Sequence, residues 1–204
     1  AYEISLGLVG SEMCIRDRDC ISFNYGQKHN IEIERASLNI SYLRKKGYTI
    51  EHKIVDLTSA MSIFHSSLIT DEMTVPEGHY EEGQMKSTVV PNRNAIFSSI
   101  IYGYALSIVA KEDVNVKIAL GVHSGDHAIY PDCRQEFRDA DYEAFQIGNW
   151  NAETVGFFIP YIDTDKLGIL KDGQKLVGKL GIEFNEVYLV PISSPDIAPP
   201  PTPP

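Results

Sequence analysis

The sequence predicts an α/β fold in which helices cover a parallel, Rossmann-like β-sheet. Residues 19–25, 31–46 and 48–55 follow one another as strand, helix and strand, an order that implies parallel strands joined by a right-handed crossover. Residues 116–122 are rich in branched apolar side chains, as expected of a strand that is buried on both faces of a parallel sheet. The 204 residues suffice for one such domain, which would bury roughly 70% of the surface of its unfolded chain.

The first helix has clear boundaries in the sequence, whereas residues 65–90 show no sign of regular secondary structure. Apolar residues at positions 33, 36, 40 and 43 give residues 31–46 a helical spacing, and Gly47 lies where a helix commonly ends. A short helix is expected over residues 56–64. Residues 65–90 show no periodicity and are dominated by Ser, Thr, Glu, Gly and Pro, which is typical of a functional lid or a disordered segment.

The second half of the chain alternates helices and strands. A helix over residues 93–110 is apolar nearly all round, which predicts burial. The strand at residues 116–122 is followed by a helix from residue 133 to about residue 145, which Asp132 could cap together with Gln135 in a capping box. Residues 155–159 and 184–190 are expected to be strands, and residues 165–180 a helix that two glycines weaken.

The composition argues against several classes of function. The net charge of −10 disfavours non-specific nucleic-acid binding, which requires a basic surface. No apolar run approaches the ~20 residues of a membrane-spanning helix, so no membrane association is expected. The three cysteines form no close pair, which indicates neither a disulfide framework nor a metal cluster and favours a cytoplasmic setting.

Polar residues follow the strands at the places where α/β proteins bind ligands, beyond the carboxyl ends of the strands. Tyr25 begins one such loop, although that loop could be only a β–α turn. A second loop carries His123, Asp126 and His127, and the two histidines are not expected to hold a metal.

Two residues at predicted helix starts also point to a ligand. A cation at a helix N-terminus opposes the helix dipole, so Arg93 is more easily explained by a bound anion than by stability, although its segment could be only a helix start. A thiol at such a position ionises more readily than a free thiol. Cys133 is therefore a candidate nucleophile, although it could also be inert.

Four motifs together resemble the 7-cyano-7-deazaguanine synthase family of queuosine biosynthesis. They are FNYGQKH at residues 23–29, VVPNRNAIF at 89–97, GVHSGD at 121–126 and YPDCRQEF at 130–137, and their order and spacing match from about residue 19 to residue 188. The resemblance implies a pyrophosphatase-loop fold, with a five-stranded parallel sheet sandwiched by helices and related to the adenine nucleotide α-hydrolases. It also implies an ATP-dependent C–N ligase that converts 7-carboxy-7-deazaguanine and ammonia to the nitrile, by way of an adenylated carboxylate and an amide.

The resemblance further implies roles for individual residues. Adenylation releases pyrophosphate, so the site must hold phosphates on backbone N–H groups and cations. We expect Tyr25, Arg93 and Gly121 on the ATP side of the site, with magnesium accompanying the ATP. Acidic side chains suit the N–H donors of a guanine-like base. The deazaguanine and its carboxylate are expected to contact His29, Asn94, Asp126, Tyr130, Asp132 and Arg134, and the candidates for catalysis are Asp126 and Cys133.

Two features depart from the family pattern. The phosphate-binding fingerprint Ser-Gly-Gly-x-Asp-Ser has no counterpart in residues 1–18, and the four zinc-binding cysteines of the family have none after Cys133. The stretch LGLVGSEMCIRDR also resembles translated sequencing-adapter sequence. We therefore expect residues 1–18 to be non-native, residues 19–190 to form an incomplete pyrophosphatase-loop synthetase domain, and residues 191–204 to be a disordered proline-rich tail.

Several hypotheses about function follow from these departures. The first is the nitrile-forming synthase, inactive as written because the first strand and phosphate loop are missing or replaced. The second is a catalytically dead domain that binds a nucleotide or a base. Another pyrophosphatase-loop enzyme, a tRNA-modifying ligase or an amidotransferase, is a third, but the YPDCR motif argues against it. A missing first strand would leave an apolar face uncovered, so a homodimer is one expected consequence.

Overall fold

The protein is described by a computed structural model that covers residues 18–28, 31–69, 88–126 and 130–182. Within these ranges the chain forms strands and α-helices in the order β1 (Arg18–Asn24), α1 (Ile31–Lys45), β2 (Ile50–Asp56), α2 (Thr58–Met61), α3 (Arg93–Glu112), β3 (Val116–Ala119), α4 (Gln135–Gly148), β4 (Val155–Phe158) and α5 (Lys166–Lys179). Short 3-10 turns add Ser124–Asp126, Pro131–Cys133 and Ala152–Thr154.

The strands of the described ranges form two parallel pairs. β1 lies beside β2 over the whole length of both strands, and α1 connects them. β3 lies beside β4 in the same way, with Val116 opposite Val155. The predicted α/β class with parallel strands is confirmed. The strand predicted at residues 184–190 lies outside the described residues.

Helix α3 joins the two strand pairs through one hydrophobic core, which contains residues of β1, α3, β3, α4 and β4. On the β1 side, the ring of Phe97 stacks on Phe23, with ring centroids 4.1 Å apart and an angle of 8° between the planes. On the β4 side, Tyr102 packs against Phe145 and Phe157. The buried residues of α3 recur every three or four positions, so the helix is buried along one stripe. Its apolar composition had predicted burial nearly all round, and that prediction is wrong.

Helix α1 ends at Lys45, within one residue of the prediction. Acidic side chains occupy its first turn and basic ones its last, which is the order that the helix dipole favours. Gly47 follows with a φ of +95°, a left-handed conformation that glycine adopts without strain. A second, small core cluster of Cys20, Ile40 and Ile50 holds α1 against the first strand pair.

Strand β3 differs from its prediction in length and in burial. It ends at Ala119 instead of residue 122, and Lys117 is exposed while Ile118 is buried. The prediction that this strand is buried on both faces is therefore wrong. Lys117 Nζ lies 5.6 Å from the centre of the Phe158 ring on β4, so the lysine stem covers an aromatic side chain while its charge stays in water.

The start of α4 also differs from its prediction. The helix begins at Gln135 with Arg134 as its N-cap, and no side chain caps it. The predicted capping box of Asp132 and Gln135 is therefore not formed. Proline at Pro131 favours the first position of a helical turn, and the chain here forms the 3-10 turn Pro131–Cys133, which places Asp132 inside a turn of its own.

Helix α5 is held by local contacts at both ends. Asp165 Oδ1 accepts a hydrogen bond of 2.7 Å from Gly168 N, as an N-cap does. At the other end, Gly181 has a φ of +67° and Ile182 N donates to Val177 O over 3.2 Å. The helix predicted at residues 165–180 is confirmed, but none of its residues is buried, so α5 forms an outer layer.

Some large apolar side chains among the described residues are exposed to solvent. Trp150, the single tryptophan of the chain, lies just after α4 and is 93% exposed. Ile147, in the last turn of α4, is 79% exposed. The end of α4 thus presents apolar side chains that the described residues leave uncovered. No helix in the described ranges is long and apolar enough to cross a membrane.

Candidate active site

The candidate site lies where β1 ends and α3 begins. Tyr25 follows β1 directly and is 3% exposed. The buried side chain of Gln27 fixes this turn, because its Oε1 accepts from Tyr25 N over 2.9 Å and its Nε2 donates to Phe23 O over 3.2 Å. Gly26 has a φ of +79°, so a side chain at this position would be strained. The turn therefore holds the ring of Tyr25 inside the protein.

Arg93 is the first residue of α3 and is 4% exposed. Its Nη1 donates to Tyr25 Oη over 3.2 Å, and its Nε donates to Asn94 Oδ1 over 3.4 Å. The guanidinium carbon lies 5.7 Å from the centre of the Tyr25 ring and 6.0 Å from that of Tyr130. These contacts with a phenol, an amide and two aromatic rings fix the orientation of the guanidinium.

Asn94 links Arg93 to the turn that precedes α4. Its Nδ2 donates to Cys133 Sγ over 3.6 Å, and Cys133 Sγ in turn donates to Asp132 Oδ1 over 3.9 Å. Cys133 is 0% exposed and Asn94 5%. The site is thus continuous from the guanidinium to the thiol, and the thiol lies behind Asn94 instead of facing solvent.

Tyr130 is the second aromatic side chain beside the guanidinium of Arg93. Its hydroxyl lies 3.0 Å from Thr88 Oγ1, and Thr88 is 4% exposed. Sequence reasoning missed Thr88, since it falls at the end of a segment without periodicity. The only signal available was a hydroxyl residue directly before the motif VVPNRN. Gln27 was also missed as a positioning residue, although it lies within the motif FNYGQKH.

The structure therefore brings together six predicted site residues from three segments of the sequence: Tyr25, Arg93, Asn94, Tyr130, Asp132 and Cys133. Gly121 lies two residues beyond β3 and is half-buried, and Arg134 is exposed at the N-cap of α4. Asp126 ends the 3-10 turn Ser124–Asp126, but its side chain lies outside the described part of the chain, as does all of His29.

A buried histidine organises the loop after β3. His123 is 6% exposed, and its Nδ1 accepts a hydrogen bond of 3.1 Å from Gly125 N. A Cβ on Gly125 would lie 3.1 Å from the His123 ring, so the close approach requires a small residue. Ser124 N donates to Thr164 O over 3.1 Å and attaches this loop to the segment before α5.

The described residues do not fit the zinc site that the family resemblance implied. None of the described ranges contains a group of three or more His, Cys, Asp or Glu side chains placed to hold a metal ion. Cys20 belongs to the small core cluster under α1, whereas Cys133 lies in the candidate site.

Comparisons with known proteins agree on one family. A family model described as queuosine biosynthesis protein QueC matches residues 13–188. The 7-cyano-7-deazaguanine synthase 2 of Colwellia psychrerythraea is 44% identical over 169 residues, which cover 82% of this chain and 70% of the relative. The 7-cyano-7-deazaguanine synthase of Pseudoalteromonas translucida is 42% identical over 168 residues, with the same two coverages. That of Hahella chejuensis is 43% identical over 173 residues, which cover 82% of this chain and 66% of the relative. No solved structure matches significantly.

Proposed function

This chain belongs to the QueC family of queuosine biosynthesis proteins, and we propose that it acts as an ATP-dependent 7-cyano-7-deazaguanine synthase. In this reaction the carboxylate of 7-carboxy-7-deazaguanine attacks the α-phosphate of ATP, and pyrophosphate leaves. Ammonia then attacks the acyl-adenylate, so that a C–N bond forms and AMP leaves. The amide oxygen then attacks the α-phosphate of a second ATP and displaces pyrophosphate. Loss of AMP, which carries this oxygen, and of two protons from the nitrogen gives the nitrile.

The observation that carries this proposal is the buried guanidinium of Arg93. Adenylation concentrates negative charge on a triphosphate and then on a leaving pyrophosphate, which a fixed cation stabilises. Arg93 is held by Tyr25 and Asn94 and flanked by the Tyr130 ring. A cation whose orientation is already fixed needs little reorganisation when the anion arrives.

The remaining role assignments extend this proposal. Tyr25, Arg93 and Gly121 are assigned to ATP. The deazaguanine and its carboxylate are assigned to His29, Asn94, Asp126, Tyr130, Asp132 and Arg134, with Asp126 and Cys133 as candidates for catalysis. The contact of Asn94 with Cys133 supports the assignment of the substrate-binding residues and the candidates for catalysis to one pocket. Because Cys133 is fully buried, attack by its thiol requires that the residues covering it move.

Other parts of the proposal concern metal, location and assembly. Mg²⁺ is held in such sites largely by substrate phosphates, so it would enter with the ATP. The cytoplasmic setting expected from the cysteine content stays a prediction. So does the homodimer, for which the exposed Ile147 and Trp150 offer apolar surface.

Product formation tests the proposed function directly. The purified chain is incubated with ATP, Mg²⁺, ammonium and 7-carboxy-7-deazaguanine, and the nitrile, AMP and pyrophosphate are measured by mass spectrometry. We expect the nitrile to appear with AMP, and both to depend on the acid substrate. Arg93→Ala should abolish AMP release, and unchanged AMP release by this variant would contradict the role given to Arg93.

A second candidate is a domain that binds the base or the nucleotide without turnover. The oriented guanidinium of the candidate site would serve this function equally well, because holding an anion needs no turnover. The same assay separates the two, when it is combined with calorimetric titration of 7-carboxy-7-deazaguanine and of ATP. Binding without AMP release would support the second candidate and contradict the first.

A further inference from the structure

Arg138 is a buried charge that the proposed chemistry does not use. It lies on α4, one turn beyond Arg134, and its side chain is 1% exposed. Nη1 donates to Ser98 Oγ on α3 over 3.0 Å, and the same nitrogen lies 3.8 Å from Asp141 Oδ2. Its Nε and Nη2 are buried without a hydrogen-bond partner. Arg138 therefore connects α4 to α3 while two of its donor nitrogens stay unsatisfied.

This arrangement is a poor source of stability. A buried donor without a partner is destabilising, and more so when the group is charged. Buried ion pairs can often be replaced by apolar residues of similar volume at no loss, or with a gain, in stability. The pair of Arg138 with Asp141 is also long for an ion pair, at 3.8 Å. We therefore expect Arg138 to matter for the relative position of α3 and α4 and not for stability.

The Ser98 contact belongs to a series of polar contacts that α3 makes with α4 and with the 3-10 turn before it. The first is Asn94 to Cys133 of that turn, the second is Arg138 to Ser98, and the third is Tyr102 Oη donating to Asp141 Oδ2 over 3.2 Å. On α3 the three residues are spaced four apart, which is about 6 Å along the helix axis. Burial and the nearby Asp141 carboxylate raise the pKa of Tyr102, so this hydroxyl keeps its proton and stays a donor. Hydrogen bonds at fixed intervals define how far one helix is shifted along the other.

We propose that Arg138 is a positioning residue for the synthase reaction, acting through Ser98. It holds the first turn of α3, which carries Arg93 and Asn94, in register with the turn that carries Cys133. This inference rests on the proposed function, because its kinetic consequence needs a reaction to measure. Its geometric consequence, the burial of the Cys133 thiol behind Asn94, can be measured without any reaction.

The kinetic test uses Arg138→Met, which keeps much of the side-chain volume and removes the charge. We expect the midpoint of thermal unfolding to be unchanged or higher, and kcat for nitrile formation to fall about 10- to 100-fold, as a misplacement of about 1 Å can cause. KM for ATP should change little, because the binding groups themselves remain. Arg138→Lys, which retains one donor for Ser98, should recover part of kcat. An unchanged kcat overturns the proposal. So does a large loss of stability in Arg138→Met, which would make Arg138 a residue of the core.

A matched pair of serine variants isolates the contact between the helices. Ser98→Ala removes the acceptor of Arg138, whereas Ser99→Ala removes an exposed hydroxyl that bonds only to its own helix, at Ala95 O over 2.8 Å. We expect Ser98→Ala to lower kcat in the same direction as Arg138→Met, and Ser99→Ala to leave it unchanged. Equal effects of the two serine variants would overturn the proposed route.

The activity-independent test follows the alkylation of Cys133 by iodoacetamide, located by peptide mass spectrometry. Arg138→Met and Ser98→Ala should raise the labelling rate of Cys133 several-fold, while that of Cys20, buried under α1, stays constant as an internal control. If the wild-type chain makes no nitrile, the proposed function fails, and the labelling rates alone decide on Arg138. If the wild type is active but kcat and labelling are unchanged in Arg138→Met, the inference about Arg138 fails and the proposed function stands.

Discussion

At the scale of single residues, the environment of Arg93 determines what the candidate site can bind. Two aromatic rings flank the guanidinium, and Tyr25 and Asn94 accept its hydrogen bonds. A guanidinium donates in several fixed directions at once, which a lysine ammonium on its flexible stem cannot reproduce. The site therefore depends on the geometry of the cation as well as on its charge.

Arg93→Lys should lower kcat/KM for ATP-dependent nitrile formation by about 10- to 100-fold, since a hydrogen bond to a charged group contributes about 1.5–3 kcal/mol. AMP release is the measurement. Arg44→Lys is the matched control, because Arg44 is a half-exposed arginine on α1 that pairs with Glu51 over 3.4 Å, away from the site. Equal kinetics of Arg93→Lys and the wild type would contradict the assigned role.

His52 is a second residue whose environment has a measurable consequence. Its Nε2 lies 2.9 Å from Ser22 Oγ, and its Nδ1 lies 3.5 Å from Ser37 Oγ, between β2, β1 and α1. Burial lowers the pKa of His52, and the positive charge of Arg44 lowers it further. The neutral imidazole is thus the form that fits the native protein.

The free energy of unfolding should fall as the pH drops below about 6.5, because His52 then gains a proton in the unfolded chain but not yet in the native one. The loss should stop once the pH is below the lowered native pKa. Urea unfolding at a series of pH values measures it. His52→Gln should remove this part of the pH dependence, whereas His65→Gln, at an exposed position, should keep it. Parallel pH profiles for His52→Gln and the wild type would contradict the prediction.

The sequence predicted individual site residues where their chemistry was unusual for their position or where they lie in motifs that resemble the family. Arg93 was identified because a cation opposes the dipole of the helix that it begins, and the structure places it at the centre of the site. Thr88 and Gln27 were missed because a threonine or a glutamine near a loop is common and, unlike a cation at a helix start, needs no special explanation. Their roles depend on where Tyr130 and Tyr25 lie in space, which the order of residues does not specify.

At the scale of elements, helices were predicted well and short strands less well. Helix α1 combines apolar periodicity, charges in the favoured order and a final glycine, so several independent signals agree on its bounds. Strand β3 has only four residues, and an apolar run of seven residues made it look longer and more buried. The start of α4 was misplaced because Pro131 favours a separate turn that competes with a cap at Asp132.

Helix α5 gives a prediction at this scale, since it has an N-cap and no buried residue. Asp165→Ala should weaken the helix by about 1 kcal/mol, the usual cost of losing a capping side chain. Because α5 is an outer layer, the change should appear as faster amide hydrogen exchange within residues 166–179 and hardly at all in the global midpoint. Asp163→Ala, an exposed aspartate two residues earlier, is the control. Equal exchange in the two variants would contradict the capping role.

At the scale of the whole molecule, α3 makes one unit of two strand pairs. Its Phe97 stacks on Phe23 of β1, and its Tyr102 packs on Phe157 of β4. The sequence predicted parallel strands but not that α3 packs against both pairs, because strand order and the position of a central helix arise from long-range packing. The predicted domain limits at residues 18 and 190 stay predictions. The family match over residues 13–188 begins five residues before the first of these limits.

Phe97→Ala should lower the free energy of unfolding by about 3–5 kcal/mol, since it opens a cavity at the junction of β1 and α3. Unfolding should remain a single transition in the wild type, with coincident curves from far-UV circular dichroism and tyrosine fluorescence. Ile63→Ala is the control, because Ile63 is 79% exposed and its loss should change stability by less than about 0.5 kcal/mol. Two separate transitions in the wild type would show that the strand pairs unfold independently.

The exposure of Trp150 decides which optical signal can follow these events. Its indole is already in water in the native protein, so denaturation will hardly shift its emission spectrum, and the tyrosines have to report the loss of the core. The same property makes Trp150 a selective probe of encounters. A blue shift of its emission in the folded protein would mean that another molecule, such as a second copy of the chain, has covered the end of α4.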